Sequence, residues 1–201
     1  MPTLLAAVIA YVLGAIPFGY LLVKWRTGGD VRAAGSGNIG ATNVLRTTGR
    51  GAGIATLLLD IAKGYVAVWS AAQLTHNRPV SMSLAALAVM AGHAYPVFLK
   101  FKGGKAVASF IGAFLYLSPL PLAAVLVVFV VVVAWTRHIS MGSIVAAATL
   151  PLAVWLIQMP ELPVVVASII AGALVIYKHS SNIQRLRSGS EHVFTLGAGK
   201  S

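Results

Sequence analysis

One apolar run decides the fold class of this chain, and over residues 106–136 it reads AVASFIGAFLYLSPLPLAAVLVVFVVVVAWT. The run has no charged residue. A helix rises about 1.5 Å per residue, however, so the run is too long for one crossing of a hydrocarbon core roughly 30 Å thick. It is interrupted by Ser118-Pro119-Leu120-Pro121. We therefore predict a tight hairpin of two helices, 106–117 and 120–136, of which the first is too short to cross a membrane alone.

Composition extends this conclusion to the whole chain. The 201 residues are 58% hydrophobic and 9% charged, and the mean hydropathy is +0.87, whereas a soluble domain carries about 25% charged residues. Long apolar segments favour helices over the short alternating strands of a membrane barrel. The fold class predicted is all-α integral membrane, as one domain over residues 1–201 with seven transmembrane helices; the other five are 2–23, 52–74, 81–99, 141–158 and 162–178.

The basic residues indicate the orientation of these helices. The chain has 15 lysine and arginine residues against four acidic ones, a formal net charge of +11. Seven spans place residues 24–51, 100–105, 137–140 and the C-terminus on one side, and most of the basic residues lie there. The opposite side has only Arg78. The positive-inside rule makes the charged side cytoplasmic and leaves the N-terminus outside.

The charge balance also limits the partners. In a membrane protein, excess positive charge suits anionic lipid headgroups or an anionic substrate, so we expect no nucleic acid. Four carboxylates and no cysteine in the chain argue against a metal site built from carboxylates. We predict neither a metal nor a cofactor.

The first polar cluster reads GSGNIGATNVLR over residues 35–46. Its glycines allow positive φ and inward-turned N–H groups, and its other polar side chains could hold an oxyanion. The glycine spacing matches a dinucleotide fingerprint, but that motif requires a preceding strand, and here a membrane segment precedes it. The alternative is a flexible loop between two helices. The candidate residues are Gly35, Ser36, Gly37, Asn38, Thr42, Asn43 and Arg46.

The second cluster reads KFKGGK over residues 100–105, at the start of a predicted helix. Helix N-termini bind anions, and flanking lysines strengthen that potential. Ordinary cytoplasmic loop charge explains the lysines but not the paired glycines. Gly103, Gly104 and Lys105 are therefore candidates for binding a phosphate.

Ionisable residues inside the predicted spans form a third group. Asp60 and Lys63 are three residues apart, share a helix face and can pair, and Lys63 would reach back toward the cytoplasmic loops. Such a pair in a membrane helix indicates function by default, although it could also only fix helix packing. His93 faces either a partner or a polar cavity, and a simply hydrogen-bonded histidine is the alternative.

The fourth cluster follows the last span, where residues 178–185 read KHSSNIQR. If the helix continues, His179 and Asn182 lie on one face. The charges alone would suit any solvated helix end. None of the five histidines is followed by aspartate five residues later, so the His-x4-Asp pair of the commoner glycerolipid acyltransferases is missing.

Taken together, these residues resemble the bacterial acyl-phosphate:glycerol-3-phosphate acyltransferase family over nearly the whole chain. The first motif of that family corresponds to residues 35–46, the second to 103–109, and the third to 179–183 with Gly189 and Glu191. The family usually has Gly-Gly-Lys-Gly and then Thr, where this chain has Ala106 and Ser109. The methyl group of Ala106 could crowd a backbone approach to phosphate, either near the contact or through a forced positive φ. Alternatively, Ala106 already begins the helix.

The resemblance implies seven helices with the N-terminus outside and all three motifs cytoplasmic, in the bacterial inner membrane. It implies acyl transfer from acyl phosphate to the 1-hydroxyl of glycerol 3-phosphate, giving lysophosphatidic acid, the first step of phospholipid synthesis. The expected partners are both substrates and membrane lipid, with no obligate protein partner. The candidate catalytic residues are Ser36, Asn38, Arg46, His179 and Asn182. The candidate substrate-binding residues are Gly35, Gly37, Thr42, Asn43, Lys63, His93, Gly103, Gly104 and Lys105.

The sequence leaves alternatives for the general base and for the function. The general base could be His179, His93 or a substrate phosphate. The rival function is a transporter or channel for a phosphorylated solute, which Asp60 and Lys63 near the midplane would permit. A transporter should have polar groups on both sides of its barrier, and the short, nearly featureless outer loops favour an enzyme.

Overall fold

The structure, a computed structural model, describes residues 1–194, and over that range the regular elements are all helical. The chain folds into two compact units, one from Met1 to Pro119 and one from Leu120 onward. The single domain expected over residues 1–201 stays a prediction. The C-terminal residues 195–201, predicted to be cytoplasmic, lie outside the described part.

The first unit is organised around its longest helix. Its helices are α1 (Pro2–Ala15), α2 (Phe18–Thr27), α3 (Ala41–Thr48), α4 (Arg50–Thr75), α5 (Pro79–Ala94) and α6 (Val107–Leu117). Helix α4 packs against each of the other five, and α1 packs along α5. Small residues allow close approach: a side chain at Gly64 of α4 would collide with the Ser109 carbonyl of α6, and one at Gly14 of α1 with the Val89 carbonyl of α5. Such small-residue packing is typical of membrane helices.

The second unit contains the remaining helices. They are α7 (Pro119–Thr136), α8 (Ile139–Ala153), which continues as a π-helical turn over Val154–Gln158, α9 (Leu162–Lys178) and α10 (Ser180–Arg187). Helices α8 and α9 pack together, and Gly172 of α9 lies against the Ala147 carbonyl of α8. Helix α10 is bent by 57° from α9.

The predicted apolar spans correspond to these helices. Within residues 1–194, five helical stretches are long and apolar enough to cross a membrane, and the bent pair α9 and α10 would be a sixth. Helix α6 has 11 residues and is too short, as expected, and the long run divides at Ser118. The all-helical membrane class is confirmed, whereas the count of seven crossings and the orientation stay predictions.

The first predicted span, residues 2–23, corresponds to the apolar stretch Pro2–Thr27, but a break that was not predicted divides this stretch into α1 and α2. The chain breaks between α1 and α2 because Pro17 has no N–H and disfavours helical geometry in the residue before it. Ile16 accordingly has φ −64° and ψ 113°. Its carbonyl oxygen accepts hydrogen bonds from the Phe18 N–H at 3.2 Å and from Lys63 Nζ at 2.9 Å.

Candidate active site

The loop that leads into α3 is held by the side chain of Asn43, which is only 2% exposed. Asn43 Oδ1 accepts a hydrogen bond from the Ser36 N–H at 2.8 Å. Its Nδ2 group donates to the carbonyl oxygens of Val31 and Ala34, each at 3.1 Å, and of Asn38 at 2.8 Å. Both ends of the amide are therefore engaged by the loop backbone.

The glycines of this loop have a conformational reason. Gly35 and Gly37 have φ values of +60° and +68°. Residues other than glycine adopt such positive φ values only at a cost in free energy. Gly40 is the extended residue before α3 and makes no side-chain cap, but its N–H donates to Asn38 Oδ1 at 2.8 Å. The prediction of a backbone that uses positive φ is confirmed at Gly35 and Gly37.

The side chains of this loop differ in exposure. Ser36 and Arg46 are exposed, Thr42 is half-buried in the first turn of α3, and Ile39 is buried. Ile39 belongs to an apolar cluster that also contains Val23, Val31, Val44, Ala52 and Leu99. The cluster supports the loop from beneath while Ser36 and Arg46 remain accessible.

An ion pair fixes the beginning of the same loop. The Asp30 carboxylate accepts hydrogen bonds from the Arg32 guanidinium, the shortest at 2.6 Å, and from the Arg32 backbone N–H at 2.9 Å. These hydrogen bonds hold the pKa of Asp30 below its ordinary value and the pKa of Arg32 above it. The guanidinium also lies 5.3 Å from the centre of the Tyr20 ring. The loop is thereby tied to α2.

The second glycine loop lies between α5 and α6. The Gly104 N–H donates to the His93 carbonyl oxygen at 3.0 Å, and Gly104 is buried while Lys105 is half-buried. Ala106 has φ 60° and ψ 11°, is fully buried and precedes the first residue of α6. Of the two alternatives for Ala106, positive φ is thus confirmed and a helix beginning at this residue is wrong.

Asp60 and Lys63 form a buried ion pair, with 2.7 Å between Lys63 Nζ and Asp60 Oδ1. The prediction that they share a face and pair is confirmed. Lys63 Nζ also bonds to the Ile16 carbonyl at the break between α1 and α2 and lies 5.6 Å from the centre of the Phe18 ring. Asp60 Oδ1 lies 3.6 Å from His93 Nδ1. Direct contact of Lys63 or His93 with a substrate stays a prediction.

In the second unit, His179 lies at the bend between α9 and α10 and is 3% exposed. We predicted that His179 and Asn182 share one face if the helix continues past residue 178. The chain does continue as helix, but α10 is bent away from α9 at His179. His179 Nδ1 is 2.7 Å from the Val175 carbonyl oxygen. A carbonyl only accepts hydrogen bonds, so Nδ1 carries a proton in this contact.

Glu191 was assigned no role from the sequence beyond its place in the third motif. Its buried carboxylate accepts hydrogen bonds from Asn182 Nδ2 at 2.7 Å, Arg185 Nε at 2.8 Å and Ser140 Oγ at 3.0 Å. Burial raises the pKa of Glu191, but the hydrogen bonds from Asn182, Arg185 and Ser140 outweigh burial, so the net pKa lies below its ordinary value. The sequence contained one signal for this role. Acidic residues are rare in this strongly basic chain, and a carboxylate that becomes buried needs hydrogen-bonding or charged partners.

Comparison with known proteins identifies the family of this chain. The family model described as glycerol-3-phosphate acyltransferase matches residues 4–189. The chain is 49% identical over 191 residues to the glycerol-3-phosphate acyltransferase of Geobacter sulfurreducens, covering 95% of this chain and 97% of that protein. It is 44% identical over 198 residues to that of Desulforamulus reducens, covering 98% and 97%. The chain belongs to the glycerol-3-phosphate acyltransferase family.

Two solved structures of a family member resemble this one. They are crystal structures of PlsY (YgiH), described as an integral membrane glycerol 3-phosphate acyltransferase. Its glycerol 3-phosphate form has a TM-score of 0.92 at 37% identity, and its lysophosphatidic acid form has a TM-score of 0.89 at 36% identity. Each comparison covers 97% of this chain and 96% of the other. Membership confirms a membrane acyltransferase and removes the reason for the transporter alternative.

Within this glycerol-3-phosphate acyltransferase, the structure brings the predicted residues together in three places. The residues of the first motif form one loop, in which Asn43 bonds to the backbone. Lys63 and His93 join the second motif through Asp60 and Gly104. In the other unit, Glu191 joins Asn182 to its neighbours. The catalytic and binding roles of these residues stay predictions.

Proposed function

We propose that this glycerol-3-phosphate acyltransferase uses acyl phosphate as its donor. It transfers the fatty acyl group to the 1-hydroxyl of glycerol 3-phosphate, on the cytoplasmic side of the bacterial inner membrane. The bond between the carbonyl carbon and the phosphate oxygen breaks, a new ester bond forms, and inorganic phosphate leaves. A relative solved in glycerol 3-phosphate and lysophosphatidic acid forms supports this acceptor and this product. The observation that carries the proposal is the exposed Ser36 and Arg46 on a loop that Asn43 holds rigid.

The first loop binds the phosphate of the donor. Gly35 and Gly37 turn the backbone on either side of Ser36, and α3 begins without a side-chain cap, so its first N–H groups are directed to an anion. Ser36 and Asn38 add hydrogen bonds, and Arg46 supplies a planar cation that binds a phosphate through two donors. Because acyl phosphate already has a good leaving group, positioning and charge stabilisation can supply a large part of the catalysis.

The second loop binds the phosphate of the acceptor through Gly103, Gly104 and Lys105. Lys63 and His93 act from beneath this loop, because both are buried with their polar atoms directed at protein groups. This supporting role is an alternative to direct contact of Lys63 or His93 with the substrate, which stays a prediction.

His179 takes the proton of the attacking hydroxyl. The hydrogen bond from Nδ1 to the Val175 carbonyl supports this role, because it places a proton on Nδ1 and fixes the orientation of the ring. Asn182 orients the hydroxyl or the carbonyl oxygen and is itself oriented by Glu191. A general base of this kind typically contributes a hundredfold or more.

The test is product formation by the purified protein from acyl phosphate and glycerol 3-phosphate. Ser36→Ala, Arg46→Ala and His179→Ala should each lower turnover at least about tenfold, roughly 1.4 kcal/mol of transition-state stabilisation. The matched controls are the exposed residues changed in Ser188→Ala, Arg50→Ala and His192→Ala, which should keep near-normal turnover. Near-normal activity in all three site variants would remove this site, and product from acyl-CoA but not from acyl phosphate would remove the proposed donor.

A further inference from the structure

The glycines of the second loop are not required by the backbone conformation. Gly103 and Gly104 are absent from the residues with positive φ, unlike Gly35 and Gly37 of the first loop. Their reason is space. A methyl group on Gly104 would overlap His93 Nε2, at 2.9 Å from Cδ2 and 3.2 Å from Cε1, whereas carbon atoms in good contact lie about 3.5–4.0 Å apart. The imidazole occupies the place of the missing side chain.

The His93 ring is held from the other side, so it cannot easily move away. It is 4% exposed, and its Nδ1 faces Asp60 Oδ1 at 3.6 Å. Asp60 in turn is paired with Lys63 at 2.7 Å, and Lys63 bonds to the Ile16 carbonyl at the break between α1 and α2. The main chain of His93 also accepts the Gly104 N–H at 3.0 Å. The loop therefore contacts a residue, His93, that is linked through Asp60 and Lys63 of α4 to the break between α1 and α2.

We propose that His93 is a positioning residue of the acyltransferase, and that Gly104 is glycine because the His93 ring lies against it. Contact with the ring fixes the position of the loop. It thereby determines where Lys105 and the backbone N–H groups lie when they bind the phosphate of glycerol 3-phosphate. This step rests on the proposed function of that loop. It differs from the view that Gly104 is small so that the phosphate can approach it.

The two explanations separate in a rescue experiment. Asparagine places its amide where the Nδ1 half of imidazole lies and leaves the Nε2 space empty, whereas glutamine reaches the Nε2 position. His93→Asn therefore keeps a donor beside Asp60 and makes room at Gly104, and His93→Gln is the matched control that fills this room.

Gly104→Ala should raise the KM for glycerol 3-phosphate about tenfold, with less than about a twofold change in the KM for acyl phosphate. Adding His93→Asn should return the KM to within about threefold of the wild type, while adding His93→Gln should leave it raised. If the double variant with asparagine is as impaired as Gly104→Ala alone, the proposal is overturned. If Gly104→Ala does not fold, recovery of folded protein with His93→Asn but not with His93→Gln supports it, and recovery with neither overturns it.

A binding measurement distinguishes this failure from that of the proposed function. Calorimetry of the purified wild type with glycerol 3-phosphate alone reports whether the loop binds the acceptor. If the wild type does not bind, the proposed function of the loop fails. The midpoint of thermal unfolding then still decides the packing claim, since asparagine at position 93, but not glutamine, should raise the midpoint of Gly104→Ala.

Discussion

The carboxamide of Asn43 has an acceptor on one side and a donor on the other, and both face backbone atoms of the first loop. Asn43→Asp keeps the shape and the acceptor for the Ser36 N–H but turns the donor into an oxygen that faces carbonyl oxygens. We expect turnover to fall at least about tenfold, and the loss to shrink when Ser36 is already alanine, because Asn43 acts through Ser36. Steady-state kinetics of the two single variants and the double variant check this.

The control for this pair of substitutions is Asn77→Asp, at an exposed asparagine outside the helices, with φ 58°. It should change turnover less than about twofold, since surface changes away from special contacts have small effects. Full additivity of Asn43→Asp and Ser36→Ala would instead mean that Asn43 contacts the substrate independently of Ser36.

Ala106 is a second residue whose backbone decides the outcome. Alanine at φ 60° costs roughly 1–2 kcal/mol relative to a residue free of that strain. Ala106→Gly should therefore raise the unfolding midpoint and lower the KM for glycerol 3-phosphate a few-fold, while the KM for acyl phosphate hardly changes. As the control, Ala108→Gly lies inside α6 and should destabilise the protein by about 1 kcal/mol. An unchanged or higher KM for Ala106→Gly would show that the loop does not use this position to approach the phosphate.

The sequence showed which residues carry groups suited to the site, but it did not show which atoms their side chains contact. The composition of residues 35–46 indicated groups suited to an oxyanion, yet it could not tell that Asn43 bonds to the loop rather than outward. Both positive φ and a helical conformation at Ala106 were compatible with the sequence. Backbone dihedrals at a helix start depend on tertiary packing, and here Ala106 is fully buried.

At the scale of elements, the apolar runs predicted most helices well, because spacing and hydrophobicity alone set a membrane helix. The break between α1 and α2 was missed although Pro17 was visible. A proline in a membrane helix is tolerated when another group satisfies the freed carbonyl. That group is Lys63, which lies far along the chain. Only the folded structure brings it to Ile16.

The carboxylate of Glu191 joins two helices of the second unit, α8 through Ser140 and α10 through Asn182 and Arg185. Because its folded pKa lies below the ordinary value of 4.5, the ionised form stabilises the fold. This stabilisation is present above the unfolded pKa and is lost as the pH falls through the lower folded pKa. We expect the unfolding temperature of the wild type to decrease as the pH is lowered below about 4.5. Glu191→Gln should make this decrease smaller.

Tryptophan fluorescence during heating at several pH values checks this expectation. Glu161→Gln is the control, because Glu161 is exposed before α9 and should leave the acid dependence as in the wild type. If Glu191→Gln retains the full acid loss, the stabilising charge lies elsewhere.

At the scale of the whole molecule, exposed tryptophans mark helix ends expected at a membrane surface, and the neighbouring arginines indicate the side. Trp25 and Trp135 are each 86% exposed, and they lie next to Arg26 and two residues before Arg137. Tryptophan is enriched where a membrane helix meets the headgroups, and arginine in short loops favours the cytoplasm. The ends of α2 and α7 are thus both expected at the cytoplasmic interface.

The orientation can be tested directly because the chain has no cysteine, so one introduced thiol is a clean reporter. Arg78 precedes α5 and Lys102 follows the turn Val97–Leu99, so they flank one apolar stretch, and both are exposed. In intact cells, Arg78→Cys should react with a membrane-impermeant thiol reagent, and Lys102→Cys should react only after permeabilisation. The reverse pattern would put the N-terminus inside and both loops that we propose to bind phosphate on the outer face. Glycerol 3-phosphate from the cytoplasm could not then reach them.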